Sequence, residues 1–258
     1  MIFIQLWNER KSNVLIFLEL VVVSVFLWYA SDALYVQYRS FVRPLGFDIS
    51  NVYHVQLATV PVSSADYDTS AVHSRKGGGD FLAVYDRLAH HPQVEAVCYT
   101  AGNHFHYRGS NRFATFKKDS LVRHGYVRHV DPAYFRVFRV KTADGQSWET
   151  LTKALDENRV VVTGTVGTAF FGSAAKALNQ EIQITDQGDR DSVFYHVGAV
   201  CEPQRYSDFL DYDYAYYKPV GSREAIANSG DGLANGLNLF IRIKPAADND
   251  RFVTGFTR

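Results

Sequence analysis

Cysteine is nearly missing from these 258 residues: only Cys98 and Cys201 occur. Two thiols so far apart make no zinc ribbon, no CxxC redox pair and no dense disulfide framework. Both sit in apolar runs, "VEAVCYT" and "HVGAVCE", and read as buried free thiols acting as small hydrophobes. Export to an oxidising compartment would leave one bridge between them open. Net charge is missing as well. The 27 basic and 27 acidic residues cancel, which removes the electrostatic case for nucleic acid or an acidic polymer as a partner. Repeats and low-complexity tracts are absent. After about residue 45 no apolar stretch approaches the roughly 18 residues of a membrane span, so that part is expected to be water-soluble.

Catalytic signatures are missing too. "KGGGDF" lacks the GxxxxGK[ST] spacing, and "GTVGTAFFG" misses GxGxxG; both read as turns and helix entries. His104 and His106 in "HFH" would point two imidazoles to one side of a strand, yet no HExxH or added carboxylate completes a zinc site. Asp208, Asp211 and Asp213 do not follow the DxDxDG calcium pattern and read as a solvated loop. No GxSxG, SxxK or Cys–His pairing marks a nucleophile. The expectation is a non-enzymatic protein with no catalytic, metal-binding or cofactor-binding residue and no cofactor.

What the chain does have is one greasy run, "NVLIFLELVVVSVFLWYASDAL". Val14 to Ala30 is interrupted only by Glu19 and Ser24, and twelve of its 17 residues are Val, Leu, Ile or Phe. Each of the twelve favours insertion by about 0.3–0.6 kcal/mol, against roughly 3 for a central acid, so the apolar sum wins. A buried soluble helix would show a polar face, and this run has almost none. A secretory signal would have a short basic start and a small-residue cleavage site, whereas the lead-in is apolar and "WYASDA" is bulky. A retained transmembrane helix over 14–34 fits better; a cleaved signal peptide, giving a secreted periplasmic binding or interaction protein, is the alternative.

Trp28 and Tyr29 fall where an aromatic belt meets the membrane interface. Arg10 and Lys11 flank the start, and Asp32 is the first charge after the run, which favours a cytoplasmic N-terminus despite Arg39 and Arg43. Residues 1–13, with Ile2, Phe3, Leu6 and Trp7, form a cytoplasmic or interfacial lead-in helix. Glu19 is a membrane-embedded acid, expected either to stay neutral or to contact other helices of a bundle.

Beyond the run, periodicity predicts strands at 52–60, 94–100, 112–117, 121–130, 159–163, 181–185, 193–201, 213–220 and 237–244. A helix capped by Asp80 carries Phe81, Val84, Tyr85 and Leu88 on one face until Pro92, and short helices are expected at 131–138 and 167–172. Residues 225–236 read as a flexible loop, and 249–258 as the start of a helix cut short. The fold class is α+β: one N-terminal transmembrane helix, then an extracytoplasmic domain.

The order of "NERKSNVLIFLELVVVSVFLWYASD", "GFDISNVYHVQL", "RLAHHPQVEAVCYT", "VDPAYFRVFRVKTADG", "RVVVTGTVGTAFFG" and "YHVGAV" resembles ABC transporter permeases of the MacB/FtsX-like type. The resemblance covers the first transmembrane helix and a MacB-like periplasmic core domain over 46–258. It implies a porter-like α/β part at 46–102 and 205–258, with a mostly-β insertion at 103–204. It further implies a bacterial inner (plasma) membrane location, a separate ATP-binding subunit (ATPase) as partner and a homodimer or paired permease. The periplasmic domain would be moved mechanically by the ATPase. Three further membrane helices of such permeases are absent, so the chain reads as part of one. The retained anchor predicts that N-terminal sequencing of the mature protein finds the start before the apolar run; a start near Ser31 or Asp32 would instead mark a secreted protein.

Overall fold

The apolar run forms a single helix, α1 (Arg10–Phe41), without a break at Glu19 or Ser24. The computed structural model describes residues 10–57, 63–65, 77–102, 112–156, 158–187, 191–206, 210–229 and 236–245. The lead-in 1–9, the "HFH" pair, most of the loop before residue 77 and the segment 249–258 lie outside them. The chain divides into a helical unit, Met1–Arg43 with Asp208–Asp211, and an α+β unit, Pro44–Ser207 with Tyr212–Arg258.

In α1, Val14–Phe41 is long and apolar enough to cross a membrane. Its 28 residues would extend about 42 Å at 1.5 Å per residue, against a hydrocarbon thickness of about 30 Å. Its large apolar side chains are exposed, Trp28 at 71% and Tyr29 at 69%. Glu19 is exposed too.

Among the described residues the α+β unit holds nine strands: β1 (Val52–Val55), β2 (Val94–Ala101), β3 (Arg112–Lys118), β4 (Leu121–Val130), β5 (Arg159–Thr163), β6 (Glu181–Asp186), β7 (Val193–Cys201), β8 (Ala215–Pro219) and β9 (Leu237–Ile243). Its helices are α2 (Gly77–Ala89), α3 (Tyr134–Val137), α4 (Trp148–Ala154), α5 (Gly164–Phe171), α6 (Ala174–Ala177) and α7 (Arg223–Ala227). The strands lie in the order β1-β9-β2-β4-β3-β6-β7-β5-β8, and β8 also pairs with β4. The last six strands of that order therefore close into a barrel. Most pairings are antiparallel; β4–β8 and β5–β7 are parallel.

Alternation along the strands sorts side chains into three cores. The barrel interior takes Phe116, Val127, Val160, Val162, Ile182, Ile184, Val197 and Tyr216, with Val166 and Phe170 of α5 packed against them. The opposite phase of the same strands, Val161, Ala199, Cys201 and Tyr217, joins α3 and α4 through Phe135, Phe138 and Leu151. A third core sets Phe81, Leu82 and Leu88 of α2 against Val97, Tyr99, Leu239 and Ile241. In β7 the inward set shifts from Tyr195 and Val197 to Val200, because the β5–β7 register slips at this point. Gly198 makes the slip fit: a Cβ there would stand 2.6 Å from the Ala154 carbonyl oxygen.

Several expectations are corrected. Helix α2 starts at Gly77, not at Asp80, which lies in its first turn. Gly78 donates to the Ser229 carbonyl at 3.1 Å, and only a glycine fits there, since a Cβ would be 1.7 Å from the Ile226 oxygen. Residues 225–227 are not loop but part of α7, capped by the Ser222 hydroxyl accepting from the Ala225 N–H. The helix expected at 131–138 is one turn, Tyr134–Val137. Helix α4 was not foreseen. Cys98 and Cys201 are free and buried; burial raises both thiols, Cys201 to about 12, so neither is a reactive thiolate.

Replacing Gly198 by alanine should destabilise the full chain by about 1–3 kcal/mol through overpacking. A lowered urea midpoint with an unchanged slope would show it; an unshifted midpoint would mean the bulge tolerates a Cβ.

Candidate functional site: a buried-arginine clamp on the entry to the core domain

Residues 44–51 follow α1 in sequence and enter the α+β unit without regular structure until β1. Such a stretch must find partners for its own backbone polar groups, and two buried arginines organise them. Arg242 of β9 is fully buried between Ile241 and Ile243. Its Nη2 donates to the Asp48 carbonyl at 2.6 Å, and its Nη1 to the Ser50 carbonyl at 2.8 Å and to Asp48 Oδ2 at 3.3 Å. Its Nε donates to the Val137 carbonyl at 2.5 Å, the last residue of α3. One guanidinium thus ties β9, α3 and the entry segment together. Arg139 adds contacts to Asp48 at 3.5 Å and to Glu95 at 3.2 Å, and the Asp48 N–H donates to the Phe138 carbonyl at 2.8 Å.

Asp48 also accepts from the Ser50 N–H at 2.8 Å, closing an Asx turn. Burial pushes its carboxyl up, but the Ser50 bonds and the Arg242 and Arg139 charges outweigh this and hold it below its ordinary value.

The second anchor is the 203–205 strip. The Arg205 N–H donates to the Leu45 carbonyl at 3.1 Å and its Nε to the Pro44 carbonyl at 3.2 Å. Gln204 Nε2 donates to the Gly46 carbonyl at 3.4 Å. Gly46 has φ +83°, and a Cβ there would lie 2.2 Å from the Pro203 carbonyl oxygen, so a side chain is excluded twice over. On its other side, Gln204 Oε1 accepts short bonds from Arg128 Nη1 and the Tyr217 hydroxyl. Arg128, on β4, also donates to the Tyr217 hydroxyl at 2.7 Å and to Asp213 at 3.3 Å. Burial raises the Asp213 carboxyl, only partly offset by the Arg128 charge. Asp213, expected in a solvated loop, is therefore a buried partner, because the β4–β8 pairing carries it beside Arg128.

This arrangement can hold the entry segment in position, and among the described residues it brings no nucleophile–base pair together. Among the described residues no group of three or more His, Cys, Asp or Glu converges on a metal site. Glu19, Trp28 and Tyr29 lie on α1 and take no part in the clamp. Sequence reading missed Arg242 and Arg128. Their signal was a cation inside an apolar strand, "LFIRIK" and "GYVRHV", a placement that demands a partner.

A family model for the MacB-like periplasmic core domain matches residues 21–257. The chain belongs to the MacB-like periplasmic core domain family. The family is a permease component of ABC-type transporters. No curated protein matches the chain. Among the solved structures similar to this MacB-like chain are three bacterial transporter or permease domains. A domain of a putative permease protein from Porphyromonas gingivalis is 13% identical, with TM-score 0.45, over 67% of this chain and 73% of that one. The periplasmic region of MacB from Actinobacillus actinomycetemcomitans is 11% identical, with TM-score 0.42, over 68% and 70%. The extracellular domain of the noncanonic ABC-type transporter YknZ from Gram-positive bacteria is 10% identical, with TM-score 0.41, over 79% and 86%.

Arg242→Met keeps the apolar stem but orphans three carbonyls, and should cost the MacB-like domain about 3–5 kcal/mol, read as a lowered denaturation midpoint. The Asp48 contribution has a sign. Its folded value lies below the ordinary 3.8, so it stabilises fully above that value and is lost as pH falls below it. Asp48→Asn should therefore flatten the acid limb of the stability profile below about pH 4; an unchanged limb would exclude this ion pair as a source of acid sensitivity.

Proposed function

We propose that the chain is a non-enzymatic, membrane-anchored permease subunit of an ABC-type exporter or mechanotransmission complex, with its core domain moved by a partner ATPase. The observation that carries this reading is the clamp. The chain leaves an apolar helix of membrane-spanning length and enters at once a segment tied by hydrogen bonds to β9, to Phe138 at the end of α3 and to the 203–205 strip. A flexible tether would need none of these bonds. A rigid entry is what a force-bearing connection requires, since displacement of the segment must move the sheet or break several hydrogen bonds at once.

The same reading places the N-terminus in the cytoplasm and the core domain in the periplasm of a bacterial inner membrane. Residues 1–13 lie at the interface, 14–34 span the lipid, and Trp28 and Tyr29 mark its edge. Glu19 faces other helices of a bundle, because a lone carboxylate against lipid is costly. The core domain comprises a porter-like part at 46–102 and 205–258 and a mostly-β part at 103–204, with β8 pairing to both neighbours of its barrel. Assembly is as a homodimer or a paired permease.

Affinity purification of the chain from detergent-solubilised membranes of its source should recover an ATP-binding subunit carrying a GxxxxGK[ST] loop. Repeated recovery without any ATPase would overturn the proposal. Inserting four glycines between Arg43 and Pro44 should leave the subunits associated and the core domain folded, while abolishing ATP-dependent conformational change in that domain. Unimpaired change in the insertion variant would show that force does not pass through this segment.

A further inference from the structure

A cavity of about 440 Å3 opens between the Thr142–Gln146 turn, α4, α6 and the end of β7. Much of its wall is small, with Ala174, Ala175, Gly198 and Ala199 among the lining residues. Leu178, a large hydrophobic left 44% exposed, stands at its rim, and the buried Val200 forms part of its apolar lining. The volume falls within the range of small-ligand pockets, which are apolar with a few placed polar groups.

Among the described residues one charged side chain, Asp144, lines the cavity, and its solvent-exposed carboxylate is hydrogen-bonded within the turn. Gln146 Nε2 donates to Oδ2 at 2.8 Å, and the Thr142 hydroxyl makes a short bond to Oδ1. Gly145, with φ +82°, closes the turn by donating to the Thr142 carbonyl at 2.9 Å. The Ala143 N–H ties the turn to β7 through the Val200 carbonyl at 2.8 Å. The Thr142 bond, followed by those of Gln146, keeps the carboxyl below its ordinary value, so it is ionised at neutral pH. A carboxylate offers about four acceptor sites, and an anchored one presents its remaining capacity in a fixed direction.

We propose that this cavity binds a primary ammonium carried beside a compact apolar group, with the ammonium at Asp144 and the apolar group against Ala174, Ala175 and Leu178. An anion is repelled by Asp144, and a neutral apolar ligand leaves its charge unused. An ammonium is a compact cation with three donors, which suits a single carboxylate. Two sources share this chemistry: a small aliphatic amine, and the N-terminal residue of a peptide with an apolar side chain.

Saturation-transfer NMR on the full chain in detergent micelles tests it with two probes, 3-methylbutylamine and Leu-Gly-Gly-amide. Transfer to the probe methyl groups should fall about threefold to fivefold in Asp144→Asn, the scale of losing one solvent-exposed ion pair. It should also disappear in Ala175→Phe, which fills the cavity from an exposed position that the fold tolerates. The N-acetylated peptide should give only the residual signal of Asp144→Asn. Transfer to one probe alone identifies the source and supports the site. Equal transfer in the natural chain and in both variants, or none from either probe at millimolar concentration, overturns it.

Discussion

A guanidinium buried in a strand must spend its donors on oxygens or carry an uncompensated charge, and this requirement at Arg242 fixes much of the molecule. β9 lies between β1 and β2 with both faces covered, so water cannot solvate the cation. The partners come instead from the end of α3 and from the Asp48–Ser50 backbone. The entry segment therefore has one position, and Phe47 seats against Phe138 at 6.2 Å as a consequence. Arg128 repeats the logic on β4. Its bonds to Gln204 and Asp213 hold the strip that in turn holds Pro44, Leu45 and Gly46.

The two arginines belong to different parts of one continuous sheet. β9 lies on its open side, whereas β4 is where the barrel closes on β8. Between them α3 and α4 pack on a core to which both parts contribute, with Phe240 from β9 and Tyr217 from β8 in the same cluster. The entry segment is thus bonded both to β9 on the open side and to the strip that Arg128 of the barrel holds. For a MacB-like domain proposed to be moved by an ATPase on the other side of a membrane, this is the mechanically useful property.

Strand positions were legible where alternation and β-branched content coincide: 121–130, 159–163 and 193–201 are strands over those residues. Helix ends were less so. Asp80 looked like a cap, but the close approach of Gly78 to α7 starts α2 earlier. α4 carries Ser147 before Glu149 at its start, a local signal overlooked beside stronger apolar patterns. Helix α7 depends on the Ser222 cap and on Ile226 docking in the third core, neither visible from propensity alone.

By itself the sequence determined the apolar helix and the α+β class, because hydropathy and periodicity are properties of neighbouring residues; the family followed from the resemblance of its motifs and their order. Only the tertiary structure decided the clamp. Arg242 and Asp48 are 194 positions apart and Arg128 and Asp213 are 85 apart, and no local pattern says which carboxylate or carbonyl a buried cation will find. Strand order and barrel closure make that choice, since pairing β4 with β8 and β1 with β9 brings those oxygens to the arginines.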